Sequence, residues 1–345
     1  MIIPILNGLL SWRKAPVVWM LVALNLAVLG YTTSVGIEAQ QGLEDLMKGS
    51  YFLDSQGKIY AQYLTGKSKS QYPPFMLELA DKINAGEADR ASWLGQLAFR
   101  DYSFMHSADK ATFHGDQVAL RYWKRRVGEA QDLQASHPSF TLGLNADDAG
   151  LEKWVSYIFV HSGMVHLAGN MLFLIIFGAT LEMQIGGLGL LVCFLLSGVF
   201  AAGVFALMTG VTSSPLVGAS GAVSGIMALY CVLNWSRPER YFYWFFLPFR
   251  GFMGFVFLPA WVALILWGIN DLSGYLGTLP ELGGVAYTAH LGGELSGVIV
   301  ALTLWLVRRR KWPIVDRPVV NVPVGKLFPL LPPLPTRKPP SDRAA

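Results

Sequence analysis

Six runs of about twenty mainly apolar residues dominate this chain: Pro16–Ser34, Met164–Met183, Gly189–Thr209, Gly218–Trp235, Gly254–Tyr275 and Ala286–Val307. A helix of that length crosses the hydrocarbon core and satisfies its own backbone polar groups, which lipid cannot do. The pattern predicts an all-α polytopic membrane protein with six transmembrane helices. Only 14% of the 345 residues are charged, against about 25% in soluble domains. The net charge of +4 gathers beside the apolar runs, which points to membrane orientation and away from nucleic acid. Arg13 and Lys14 precede the first run as in a secretory signal. The run is longer than the usual signal core of about 7–15 residues and no A-x-A site follows, so it is read as a retained helix.

Basic residues set the orientation. Arg237, Arg240 and Arg250 lie between the fourth and fifth runs, and Arg308, Arg309, Arg310 and Lys311 follow the sixth, while 210–217 and 276–285 carry no Lys or Arg. Both termini are therefore expected in the cytoplasm, and a bacterial inner membrane is the expected location. The aromatic run from Tyr241 to Phe246 reads as an interfacial belt entering the fifth span. Four parts are expected: residues 1–36 as the N-terminus and first span, 37–150 as a large extracytoplasmic insertion, 151–311 as the core of spans two to six, and 312–345 as a Pro-rich cytoplasmic tail. Leu120 to Ala135 reads as a helix inside the insertion. His106, His114 and His137 show no metal-ligand spacing, and Cys193 and Cys231 read as packing residues inside apolar runs.

Polar residues inside spans are costly and therefore candidates for function. His166 and Asn170 share one helical face, and such donors can stabilise a developing oxyanion or tie helices together. Ser220 sits in Gly218-Ala219-Ser220-Gly221 at the head of the fourth run. His290 stands near the matching end of the sixth, followed by Gly293 and Gly297, a spacing that lets another helix approach closely. Topology puts Ser220 and His290 at similar depth, so His290 is the expected general base for a Ser220 nucleophile. Ala222 breaks the G-x-S-x-G pattern of soluble hydrolases.

These residues resemble the rhomboid family of intramembrane serine proteases. The family's H-x-x-x-x-H-x-x-x-N appears as His161, His166 and Asn170, its G-x-S-G as Gly218 to Gly221, and its A-H-x-x-G-x-x-x-G as Ala289, His290, Gly293 and Gly297. Gly268 to Gly274, "GINDLSG", is similar to the end of the family's fifth helix. The resemblance covers about 150–310 and implies a Ser220–His290 dyad without an obligatory acid. It also implies an oxyanion hole of His166, Asn170 and the Ser220 N–H, with His161 in support. The implied site opens to the extracytoplasmic side in a six-helix rhomboid-like bundle. Single-span membrane proteins are the implied substrates, and no cofactor or metal is required.

The chain departs from the family in three places. Members often carry Tyr or Phe four residues after the serine, packed on the catalytic histidine, where this chain has Ser224. Glu294 lies one turn beyond His290; with Ser224 it supports that ring, or else it faces another helix or is protonated among packing partners. The family's Trp-Arg pair is unmatched, Glu152, Lys153 and Trp154 standing there. A catalytically inactive relative that binds membrane-protein clients is the alternative; a transporter would need paired broken spans or repeats. The sequence does not set an oligomeric state.

Overall fold

The computed structural model describes residues 2–4, 13–67, 72–110, 114, 116–145, 150–209, 214–244, 253–277 and 286–307. In chain order these give β1 (Ile2–Pro4), α1 (Pro16–Lys48), α2 (Ser50–Leu64), α3 (Pro74–Asn84), α4 (Ala91–Ala98), α5 (Tyr102–His106), α6 (Gln117–Ser136), α7 (Pro138–Leu142) and α8 (Lys153–Ser156). There follow α9 (Met164–Phe173), a π turn (Leu174–Gly178), α10 (Ala179–Ile185), α11 (Gly187–Thr209), α12 (Ser220–Leu233), β2 (Pro238–Trp244), β3 (Met253–Pro259), α13 (Trp261–Gly277) and α14 (Tyr287–Val307). The expected Pro-rich tail lies outside the described residues.

Pro16 suits the first turn of α1, where a missing N–H costs nothing. The Ala15 cap has no side chain to offer. Glu182 of α10 takes its place: its carboxylate accepts from the N–H groups of Val17 and Val18 at 3.0 and 2.9 Å. A buried acid thus meets the positive end of a helix dipole. Helix α1 runs 33 residues to Lys48, well past the expected end at Ser34 and longer than the roughly 20 residues a bilayer needs. Its far half packs on α6 and α7, with Gly36 against His137 and Pro138 and Gly42 against Leu133.

Helices α2 to α6 gather a second apolar core around Phe52, Tyr60, Met76, Leu94, Phe104 and Trp123. Gly57 and Gly95 let α2 and α4 touch backbone to backbone, since a Cβ on Gly95 would lie 2.1 Å from the Leu53 carbonyl oxygen. Gln56 bridges this crossing, donating to the Gly95 carbonyl at 2.7 Å and accepting from the Trp123 indole at 3.2 Å. Asp101 caps α5 through the Phe104 N–H and accepts from the hydroxyls of Tyr60 and Tyr72, each at 2.9 Å. Burial and the adjacent Asp101 charge both push these phenols up from their ordinary value. The helix expected over 120–135 is α6, which starts at Gln117 under an Asp116 cap.

Among the described residues four helices are long and apolar enough to cross a membrane: Pro16–Lys48, Met164–Ile185, Gly187–Met208 and Tyr287–Val307. The fourth and fifth expected spans differ from expectation. Gly218–Trp235 forms a helix of 14 residues, opened by the positive φ of Gly218 and closed at Asn234, whose side chain exchanges two hydrogen bonds with Gln184. Gly254–Tyr275 is not one helix. Its first residues form β3, and α13 has 17 residues. The fold is therefore mostly helical rather than all-α, because β1, β2 and β3 make a three-stranded antiparallel sheet. Aromatic and β-branched residues between Gly254 and Pro259 fit a pleated surface, and hydropathy alone cannot separate such a run from a helix. Much of the expected aromatic belt is β2, with Phe242 facing Phe255 across the ladder at 5.5 Å. Glu239 and Tyr241 share the inward face of β2. The Tyr230 hydroxyl donates to Glu239, and Arg237 stands 3.1 Å from the same carboxylate.

Glu182→Ala removes the acceptor for one buried and one part-buried N–H group, a loss of about 1–3 kcal/mol for a buried group left unsatisfied. The expected outcome is a lower SDS-unfolding midpoint, with Glu182→Gln intermediate. A second expectation concerns acid. The His137 Nδ1 accepts the Ser139 N–H at 3.1 Å and caps α7, and burial holds the ring below histidine's ordinary value of 6.5. The unfolded chain takes up this proton more readily, so the stability it contributes is full above that value and falls as pH drops through it. The melting temperature is expected to fall between about pH 7.5 and 5.5, with Asn at 137, a neutral cap, flattening the slope.

Candidate active site

The site forms where α12 and α14 touch. A Cβ on Gly293 would lie 2.0 Å from the Gly221 carbonyl oxygen, and one on Gly297 2.2 Å from that of Gly225. No side chain fits at these crossings. Ser220 is the first residue of α12 and is half-buried. A Cβ on its neighbour Gly221 would stand 3.3 Å from the carbonyl oxygen of Ala289, the residue before His290. The heads of the two helices, bearing Ser220 and His290, are therefore adjacent.

The turn before Ser220 is held from several sides. Gly218 has φ +115°, a conformation that other residues rarely adopt. Its N–H donates to the Tyr157 carbonyl at 2.9 Å, and the Ala219 N–H points to His161 Nε2 at 3.4 Å. The other nitrogen of His161 lies 3.2 Å from the Phe159 carbonyl, so one tautomer serves both contacts. Leu144 and Leu216 exchange two backbone hydrogen bonds, at 3.1 and 2.7 Å, which tie the chain after α7 to the serine turn.

His166 and Asn170 meet the same turn from α9. A Cβ on Gly218 would lie 2.6 Å from His166 Cε1 and 3.6 Å from Asn170 Nδ2. His166 Nδ1 is 3.1 Å from the Ser162 hydroxyl. Asn170 Nδ2 is buried without a hydrogen-bond partner among the described residues. An unengaged amide donor facing a serine turn is what an oxyanion needs.

Ser224 is buried within α12 and supplies no ring for His290. Tyr287 supplies one from the preceding turn of α14, edge-on to the imidazole with centroids 6.3 Å apart. Glu294 Oε2 lies toward α13, 3.2 Å from where a Cβ on Gly268 would stand. The residue that the sequence reasoning missed is Asp271 on α13, whose Oδ2 stands 3.2 Å from His290 Nδ1. A signal existed: Gly268, Asp271 and Gly274 recur every three residues, one face of a helix. Gly268 makes room for Glu294 and Gly274 for the Tyr287 ring.

Gly218→Ala adds a Cβ at an unfavourable φ and drives it into His166. The expected result is a loss of at least about 10-fold in reactivity of Ser220 toward a serine-directed probe, from displaced geometry alone. Circular dichroism of the helices should stay unchanged.

Residues 149–307 match the Rhomboid domain. Rhomboid protease GlpG of Serratia proteamaculans is 32% identical over 161 residues, 46% of this chain and 50% of that protein. RHOMBOID-like protein 6, mitochondrial, of Arabidopsis thaliana is 30% identical over 168 residues, 47% of each chain. Rhomboid-like protein 11, chloroplastic, of the same plant is 29% identical over 161 residues, 46% of this chain and 52% of that protein. The chain spans about half the length of these relatives. With its apolar helices it is an integral membrane protein, and its residues 149–307 are similar to the rhomboid family.

Proposed function

We propose that this protein is an intramembrane serine endopeptidase that cleaves single-span membrane proteins in or near their transmembrane helices. The observation that carries the reading is the glycine contact between α12 and α14, which sets the heads bearing Ser220 and His290 side by side. The similarity to a protein named as a rhomboid protease adds to it.

Ser220 Oγ attacks the scissile carbonyl carbon while His290 takes the hydroxyl proton. The carbonyl oxygen becomes an oxyanion, which accepts hydrogen bonds from His166, Asn170 and the Ser220 N–H. Collapse of this intermediate breaks the C–N bond, and the proton passes from His290 to the departing amine. Water then attacks the acyl-serine, again with His290 as base, releasing the acid and restoring Ser220. The reaction consumes water, so the site opens to an aqueous cavity on the extracytoplasmic side, with both termini in the cytoplasm of a bacterial cell. A substrate helix must unwind to reach the serine, which favours Gly and other small residues at the cleavage point. All catalytic groups come from side chains and backbone, so no cofactor enters.

Fluorophosphonate labelling in detergent, with cleavage of a reconstituted single-span substrate, tests the reading. Wild type is expected to label and cleave, and Ser220→Ala and His290→Ala to do neither. His166→Ala and Asn170→Ala should each lose about 10²–10³ in kcat. A wild type that binds the substrate but neither labels nor cleaves would establish the alternative, a client-binding protein without protease activity.

A further inference from the structure

The fifth-helix segment α13 brings an acid to a histidine that family resemblance supplies with none. Asp271 is 1% exposed. Its Oδ1 accepts from the Asn270 side chain at 3.2 Å, while Oδ2 faces His290 Nδ1 at 3.2 Å. The ring is not aligned for a linear hydrogen bond, and both facing atoms are buried without a hydrogen-bond partner among the described residues. This is ion-pair distance with the final rotation still to be made, as is common at unliganded catalytic sites. Asp271 from α13 and the edge-on Tyr287 ring face the imidazole, Glu294 lies one turn further along α14, and the head of α12 bearing Ser220, with His166 against the turn before it, lies alongside. Of these, Asp271 is the one placed at Nδ1.

We infer that Asp271 is a positioning residue that completes a Ser220–His290–Asp271 triad. The inference rests on the protease reading above. The carboxylate keeps the proton on Nδ1, which leaves Nε2 bare and turned to Ser220, and it steadies the imidazolium that forms when Ser220 gives up its proton. Asp271 itself takes no proton: the one transferred goes from Ser220 Oγ to Nε2 and then to the leaving amine. Asn270 fixes the other carboxylate oxygen, and Gly268 and Gly274 bring α13 close enough for the contact. Glu294, one turn beyond His290, directs its Oε2 toward Gly268 on α13. It has no direct place in proton transfer.

Two measurements test this. The first is ¹⁵N NMR of histidine-labelled wild-type protein in micelles, with His290 assigned by difference from His290→Asn. Nδ1 protonated with Nε2 bare is expected; the opposite tautomer overturns the inference whatever the variants do. The second compares kcat, KM and fluorophosphonate labelling in wild type, Asp271→Asn, Asp271→Glu and Glu294→Gln, with SDS-unfolding midpoints. Asp271→Asn should lower kcat at least about 100-fold with KM within about 3-fold, and displace the acid limb of kcat/KM against pH. Asp271→Glu should recover at least about 10-fold of that loss, and Glu294→Gln should stay within about 3-fold of wild type. An Asp271→Asn protein with wild-type kcat and tautomer overturns the inference, as does a kcat loss found in Glu294→Gln alone. A wild type that neither labels nor cleaves, yet shows the tautomer and loses it in Asp271→Asn, retains the positioning role and removes the protease reading.

Discussion

Two carbonyl oxygens resting where glycine side chains would be, Gly221 against Gly293 and Gly225 against Gly297, govern this molecule. Lipid offers helices no hydrophobic reason to associate, so association in the bilayer depends on close packing and polar contact. Backbones this near gain dispersion along their length and Cα–H···O contacts of about 0.5–1 kcal/mol each. The contact also works as a ruler. It sets the heads of α12 and α14 side by side, so that groups far apart in sequence meet at one depth. Helix α11 closes the other side, with Gly292 against Val204 and Gly225 against the Ser197 hydroxyl.

A ruler alone does not aim a hydroxyl. Ser220 is the first residue of its helix, where the preceding turn decides its direction. That turn is held by the Tyr157 carbonyl, by His161 and by the backbone exchange between Leu144 and Leu216. Tyr157 is fixed in turn by its hydroxyl on the Gly198 carbonyl at 2.7 Å. Sites depend on such supporting contacts, since small displacements of a reacting group cost rate steeply. The Leu144 contact also gives the helices between α1 and α8 a mechanical link to the serine turn.

The sequence made some of this visible and hid the rest for physical reasons. Gly293 and Gly297 announce a close crossing because spacing by four fixes one helical face, while the partner becomes visible only when Gly221 and Gly225 are seen against them. The sheet was hidden because an apolar run such as Gly254 to Pro259 has the same hydropathy as helix, and only its register with β2 shows it as a strand. The length of α1 was hidden because its far half is held by α6 and α7, distant in sequence. Gly57 and Gly95 carried no signal for the same reason: they matter only once α2 and α4 are paired. Asp271 was within view, quoted inside "GINDLSG", but the family pattern asks for no acid there. Its role becomes visible only when α13 is placed beside α14.

The treatment of buried acids across the molecule argues that the Asp271 cluster is there for chemistry. Glu182 is answered by two backbone N–H groups, Glu239 by a phenol and a guanidinium, and Asp101 by two phenols and an N–H. Each is a complete structural solution to the cost of burying a carboxylate, which runs to several kcal/mol when unanswered. Asp271 Oδ2 and Glu294 Oε1 lack such answers, as does His290 Nδ1 facing Asp271. A fold that satisfies its acids elsewhere leaves one Asp271 oxygen open opposite the histidine nitrogen that shares the charge when Ser220 gives up its proton. The cost of burying that open oxygen is offset when the imidazole beside it becomes charged.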